Sequence, residues 1–211
     1  MLHRDDPDTE VAVAVETFNA MHEEGNIGAF GASNWTHTRI EEANEYAYKH
    51  NLIPFSVSSP NFCLARQVED PWGGGCVNIS GPENQEARAW YEKNQMPVIA
   101  YASLGRGFFS GRMKSEYADH AGDYLDSFAM IGYACSDNFE RLRRCEIIAE
   151  KHGVTVAQIA MNWIFSHPLN IFAIASMSKA DRMKANREAL LLQLSDEEIA
   201  YLDLETPEFC G

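Results

Sequence analysis

The sequence predicts an α/β protein built on a parallel sheet. Three observations lead there. Segments with apolar residues at helical spacing alternate with short apolar, Gly- or Pro-bounded segments of strand character. No Ser/Gly linker or low-complexity tract divides the chain, so residues 1–211 read as one domain. At 211 residues and 45% hydrophobic, the chain is long enough to bury a core, yet short of the roughly 250 residues of a complete β/α barrel.

The elements follow in order. Residues 9–24 form a helix, with Val11, Ala14, Val15, Phe18 and Met21 at helical spacing. Asp8 or Thr9 is its expected cap, and Gly25-Asn26 its stop. Residues 27–33 read as a buried strand and 38–50 as a second helix with Ile40, Ala43 and Ala47 on one face. Residues 54–59 are a second strand. An irregular stretch, 60–81, carries Pro71-Trp72-Gly73-Gly74-Gly75, read as a cover over apolar surface or a substrate loop, with cover favoured. Residues 83–94 are helical, and Pro97-Val98-Ile99-Ala100-Tyr101 is the clearest strand, running into the turn Gly105-Arg106-Gly107. Residues 113–134 have no clean period. Helices are predicted over 137–152, 155–166 and 179–190, and a strand over 171–175. Ser195 and Glu198 form an S-x-x-E capping box for the last helix.

Alternation of this kind gives parallel strands joined by helical crossovers. Four strands are visible, with the tail of a fifth expected just ahead of Leu2-His3. Such a sheet has two open edges that need a partner, a cover or closure. Periodicity fits an open doubly wound sheet and part of a barrel equally.

Composition removes several classes of function. A net charge of −14 with no Lys/Arg block disfavours nucleic acid and anionic membranes as partners. No apolar run approaches a membrane span, and the first residues lack a signal peptide's apolar segment. Cys63, Cys76, Cys135, Cys145 and Cys210 form no C-x-x-C pair, which fits reduced thiols in a cytoplasmic protein. His3, Asp5 and Asp6 read as solvated terminal residues, so no metal site is expected.

Five segments carry more. They are Leu2-His3-Arg4-Asp5-Asp6-Pro7; residues 25–35, with Gly31-Ala32-Ser33-Asn34-Trp35; residues 98–107, followed by Ser110-Gly111-Arg112; residues 154–163; and residues 182–186, leading to Leu194-Ser195-Asp196-Glu197-Glu198. In this order and spacing the chain resembles the aldo-keto reductase family from His3 to its end. The resemblance implies a (β/α)8 barrel of TIM type, here represented by roughly its second half, from strand 4/5 to strand 8. The domain is expected to be N-terminally incomplete, a truncated reductase.

The resemblance implies NADP as cofactor, with NAD as the second choice. Ser33 and Asn34 match the pair that hydrogen-bonds the nicotinamide amide, and Tyr101 the aromatic residue that stacks on its ring. Ser59 stands where the family often has Gln. Leu104 to Gly107, with Gly105 and Arg106, match the loop over the pyrophosphate, and Ala102 just before it is also expected to bind cofactor. Ser103 replaces a common Pro. Ser176 lies where many members carry a Lys for the 2′-phosphate. Arg182 matches the residue that contacts that phosphate, and Asn186 the adenine-binding Asn.

Of the family's catalytic Asp, Tyr, Lys and His, only the His is matched, by His3. The implied function is NADP(H)-dependent reduction of carbonyls, aldehydes or ketones and among them sugar-derived ones, to alcohols. The isolated chain is expected to be inactive for want of Asp, Tyr and Lys. The expected partners are a small carbonyl substrate and a missing N-terminal half or a second copy that closes the sheet. The alternative is a non-catalytic nucleotide-binding or interaction module on a reductase scaffold.

Overall fold

Parallel strands dominate because each apolar segment is returned to the same end of the sheet by a helix. A computed structural model describes residues 1–176 and 179–207. Four strands, β1 (Ala32–Ser33), β2 (Ser58–Ser59), β3 (Val98–Ala100) and β4 (Ile171–Ala173), lie side by side in chain order. All pairings are parallel, with Ala32 opposite Ser58, Ser58 opposite Val98 and Val98 opposite Ile171. Leu2 bridges Ala32 in the same sense, beside β1 where a further strand is expected.

The helices are α1 (Val11–Glu23), α2 (His37–Lys49), α3 (Gln85–Asn94), α4 (Ser127–Tyr133), α5 (Ser136–His152), α6 (Val156–Phe165), α7 (Ala180–Ala189) and α8 (Asp196–Leu202). Their limits are set by local chemistry. Gly153 ends α5 with φ +64°, and Gly25 follows α1 with φ +73°. Thr155 with Gln158 and Ser195 with Glu198 form reciprocal capping boxes on α6 and α8.

Packing locks these elements to the sheet. Phe18 of α1 stacks on Phe30 with centroids 5.3 Å apart, and Phe55 meets Phe30 and Trp35 edge-on at 5.9 and 5.4 Å. Each such pair adds about 0.5–1.5 kcal/mol beyond area burial, so this cluster outweighs any single surface ion pair. On the other flank, Asn162 Nδ2 of α6 donates to the carbonyls of Ala189 and Leu192 at 2.9 and 2.7 Å.

Several expectations are corrected. The cap of α1 is Glu10, with no side-chain bond, because Thr9 Oγ1 is spent on Asp6 Oδ2 at 2.8 Å. Helix α2 is capped by Thr36, whose side chain accepts from the Arg39 amide at 3.2 Å. Residues 113–134 hold the short helix α4, capped by Asp126 through the Ala129 amide at 2.7 Å, and a 3-10 stretch, Ser115–Asp123. The strands are shorter than the apolar runs that announce them. Cys63, Cys76, Cys135 and Cys145 are free thiols, and Cys210 lies outside the described residues. No helix among the described residues is long and apolar enough to cross a membrane.

Candidate functional site

A cleft of about 500 Å³ opens where the strands end. Ser33 is the last residue of β1, Ser59 the last of β2, Tyr101 follows β3 and Ile174 follows β4 by one residue. All four line the cleft together with Met1, His3, Arg4, Asn34, Trp72 and Cys76. Ligands in parallel α/β proteins bind at this end because the connecting loops there are free to vary.

Asn34 is the hub. Its backbone takes φ +57°, a left-handed conformation that Asn tolerates better than most residues. Its Nδ2 donates to the His3 carbonyl at 3.0 Å and to Ser33 Oγ at 3.3 Å. Its Oδ1 accepts from Tyr101 Oη at 2.7 Å and from the Val77 amide at 3.2 Å. A side-chain amide offers two donors and two acceptor positions, so Asn34 is fully used inside the protein. Beneath it, Ser33 Oγ donates to the Ser59 carbonyl at 2.8 Å and Ser59 Oγ to the Ile99 carbonyl at 2.7 Å.

Tyr101 carries its ring at the cleft wall with its hydroxyl tied down. Burial, followed by the neighbouring Cys76 thiol and Asp70, pushes the phenol well above its ordinary pKa, so it stays protonated and donates to Asn34. Trp72 meets the ring edge-on at 6.5 Å and stacks on Phe128 at 6.1 Å. Asp70 shapes this loop by accepting the amides of Trp72 and Cys76 at 2.8 and 2.9 Å. Arg4 reaches in to donate from Nη1 to the Gly74 carbonyl. The Gly-rich segment is therefore both cover and cleft wall.

The phosphate-loop residues behave differently from expectation. Ala102, Leu104, Gly105 and Arg106 do not line the cleft. The amides of Gly105 and Gly107 close the turn on the carbonyls of Ala102 and Leu104 at 2.7 and 3.1 Å, so they are not open to a ligand. Arg106 pairs with Asp126 at 2.8 Å, and its guanidinium lies over the Trp72 and Phe128 rings at 5.4 and 5.1 Å. Asn34 in the cleft, and Ala102 and Arg106 in the turn after β3, have positive φ without being glycine. Such strain gathers where a site holds the backbone to a set shape.

Ser176, Arg182 and Asn186 lie outside the cleft; the first two are exposed, and Arg182 and Asn186 sit on α7. His3 is exposed at the cleft mouth. The structure thus brings together His3, Ser33, Asn34, Ser59 and Tyr101. Sequence reasoning gave no role to Arg4, although it lies in the first quoted segment, or to Cys76, which carries no motif. Among the described residues no group of three His, Cys, Asp or Glu side chains is placed to hold a metal ion.

A parallel sheet with crossover helices and polar side chains delivered from adjacent strand ends defines a barrel-type α/β protein. The chain belongs to the aldo/keto reductase family, whose profile matches residues 1–204. It is 24% identical over 202 residues to "Aldo-keto reductase str7" of Strobilurus tenacellus, covering 94% of this chain and 54% of that protein. It is 25% identical over 211 residues to a putative aryl-alcohol dehydrogenase of Schizosaccharomyces pombe, covering 96% and 53%. A putative voltage-gated potassium channel subunit beta of the same yeast is 22% identical, over 99% of this chain and 55% of that protein. A thermostable aldo-keto reductase solved with the inhibitor epalrestat superposes with a TM-score of 0.64 at 22% identity, covering 96% of this chain and 57% of that one. That likeness gives the fold. The chain spans about half the length of the relatives it matches.

Proposed function

We propose that this chain is the nicotinamide-binding part of an NADP(H)-dependent oxidoreductase that reduces carbonyl compounds. The observation that carries the reading is the joining of Ser33-Asn34 to Tyr101, from the ends of two strands, at one cleft. The Tyr101 ring supplies a flat face for nicotinamide, and the buried serines below it hold Asn34 in place. Asn34 reaches a carboxamide by exchanging one of its internal bonds. Arg182 then serves a 2′-phosphate, favouring NADP over NAD.

His3 orients a carbonyl at the cleft mouth. His3 and Arg4 line the cleft, and among the described residues no lysine does. Proton delivery therefore falls to the Asp, Tyr and Lys of an N-terminal half set against the open edges of the sheet, since a second copy would close the sheet without bringing them. Fluorescence titration with NADPH tests the cofactor site. Tyr101→Ala should weaken binding at least about tenfold, and Arg182→Ala should erase the preference for NADPH over NADH. The isolated chain should turn over no aldehyde. Unaltered NADPH affinity in Tyr101→Ala would reject the site. Tight cofactor binding with no turnover after the complementary half is supplied would favour a non-catalytic module.

A further inference from the structure

Away from the cleft, α3, α5, the end of α6 and the segment after α8 enclose a second cavity of about 260 Å³. It shares no lining residue with the cleft. On a chain with 31 acidic and 17 basic residues, three arginines converge here: Arg66, Arg88 and Arg141. Arg141 is 6% exposed, and its one hydrogen bond within the described protein is a long one, from Nη1 to Asn138 Oδ1 at 3.3 Å. Arg88 is anchored by Nη1 on the carbonyls of Ile79 and Gly81 at 2.7 and 2.6 Å. Fully buried Asn138 also holds the Arg66 backbone, accepting from its amide at 2.9 Å and donating to its carbonyl at 2.7 Å. The Arg88 guanidinium is thus fixed from behind and Arg141 is held by burial and Asn138, while Arg66 Nε is paired with Glu83 Oε1 at 3.0 Å.

The remaining wall has a different chemistry. His167 Nε2 is buried at the cavity with no hydrogen-bond partner. Asp203 accepts from Trp163 Nε1 at 2.9 Å and makes no ion pair with Arg88 or Arg141 among the described residues. Glu205 stands beside it.

We propose that this cavity binds a hydrogen phosphate group, free or as a small monoester, with Arg88 and Arg141 on its oxyanion and Asp203 accepting its proton. Arginine forks match phosphate oxygens, and donors fixed before binding lose little freedom on capture. His167 Nε2, buried without a partner, gains an acceptor when its tautomer carries the proton on that nitrogen. The cavity lies below the usual size of a cofactor pocket, so it suits one small anion and not a dinucleotide. Asp203 is pushed up to about 6 by burial, close to the second ionisation of a phosphate, so one proton is shared readily between them. Sulfate, which carries no proton at neutral pH, leaves two negative groups facing each other and is excluded.

The chain's four tryptophans provide separate reporters. Trp163 lines this cavity and Trp72 lines the cleft. In indole ¹H–¹⁵N spectra at matched ionic strength, inorganic phosphate should move the Trp163 signal saturably and leave Trp72 in place. Sulfate should move neither. Stronger binding of glycerol phosphate than of inorganic phosphate would assign the monoester, and the reverse order the free ion. Arg88→Met should weaken binding at least about tenfold. Asp203→Asn, which keeps the shape and the Trp163 bond, should admit sulfate alongside phosphate. The proposal is overturned if phosphate leaves Trp163 unmoved, if sulfate matches phosphate in the parent, or if Asp203→Asn keeps the discrimination. None of these outcomes touches the cofactor reading, which is scored on NADPH.

Discussion

At the scale of single residues, Tyr101 and Asp203 show how a neighbour decides what a side chain does. The Tyr101 hydroxyl competes with any ligand for Asn34 Oδ1, while its ring is the surface a nicotinamide needs. Tyr101→Phe keeps the ring and frees that acceptor, so NADPH affinity should hold or rise where Tyr101→Ala loses it; a loss as large in Phe as in Ala would give the hydroxyl the binding role. Asp203 holds its proton more tightly in the folded state, since burial raises it from 3.8 to about 6. Between those values the folded chain binds more protons than the unfolded one, so the group's contribution to stability falls as pH rises from about 4 to 6. Above that window it is a constant penalty of up to about 3 kcal/mol. Asp203→Asn should therefore melt higher than the parent at pH 7.5, by about 4 °C or more, and match it near pH 4. An equal difference at both pH values would assign the effect to packing rather than charge.

At the scale of elements, what was legible in the sequence depended on whether the signal is local. The helix α8 is legible because Ser195 and Glu198 satisfy each other's backbone across one turn. Helix α4 is hidden because seven residues give no readable period, and only Asp126 marks its start. Strand positions are legible and strand lengths are not, since an apolar run reports burial and leaves the paired residues unspecified. In the cleft, Ser33, Asn34 and Tyr101 stand in recognisable motifs, whereas Cys76 and Arg4 arrive by loop geometry. The arginine cavity is illegible because Arg66, Arg88, Arg141, His167 and Asp203 come from separate elements. One glycine requirement belongs to this scale. A Cβ on Gly31 would lie 2.0 Å from the Val57 carbonyl oxygen, which accepts the Ala32 amide at 3.1 Å. That oxygen cannot retreat without opening the β1–β2 pairing. Gly31→Ala should lose more than about 3 kcal/mol in urea unfolding, and Val57→Ala should not rescue it, because the clash is with backbone.

At the scale of the whole molecule, the sheet is covered on its helical face and open at both ends. Beside Leu2, an apolar groove of about 390 Å³ runs along α1, lined by Val13, Ala14, Phe18, Met21 and Trp35, and Trp35 Nε1 is buried there without a partner. At the other edge, Phe172 and Ile174 beside α7 are 58% and 52% exposed, and Leu191 is 80% exposed. Apolar surface of this extent on a chain that is otherwise strongly acidic is of the kind that the proposed partner segment would cover. Charge opposes the contact and burial favours it. The Debye length near physiological salt is about 8 Å, so repulsion between distant acidic groups is screened while edge burial is not. The isolated chain should therefore associate through these edges, and more strongly as salt rises. Sedimentation at increasing concentration should show mass growing beyond 23.7 kDa, and Phe172→Asp combined with Leu191→Asp should return it to that value with the NADPH site unchanged. A parent that stays at the monomer mass in high salt would show that its edges are tolerated in water, and the proposed covering partner would then have no edge to close.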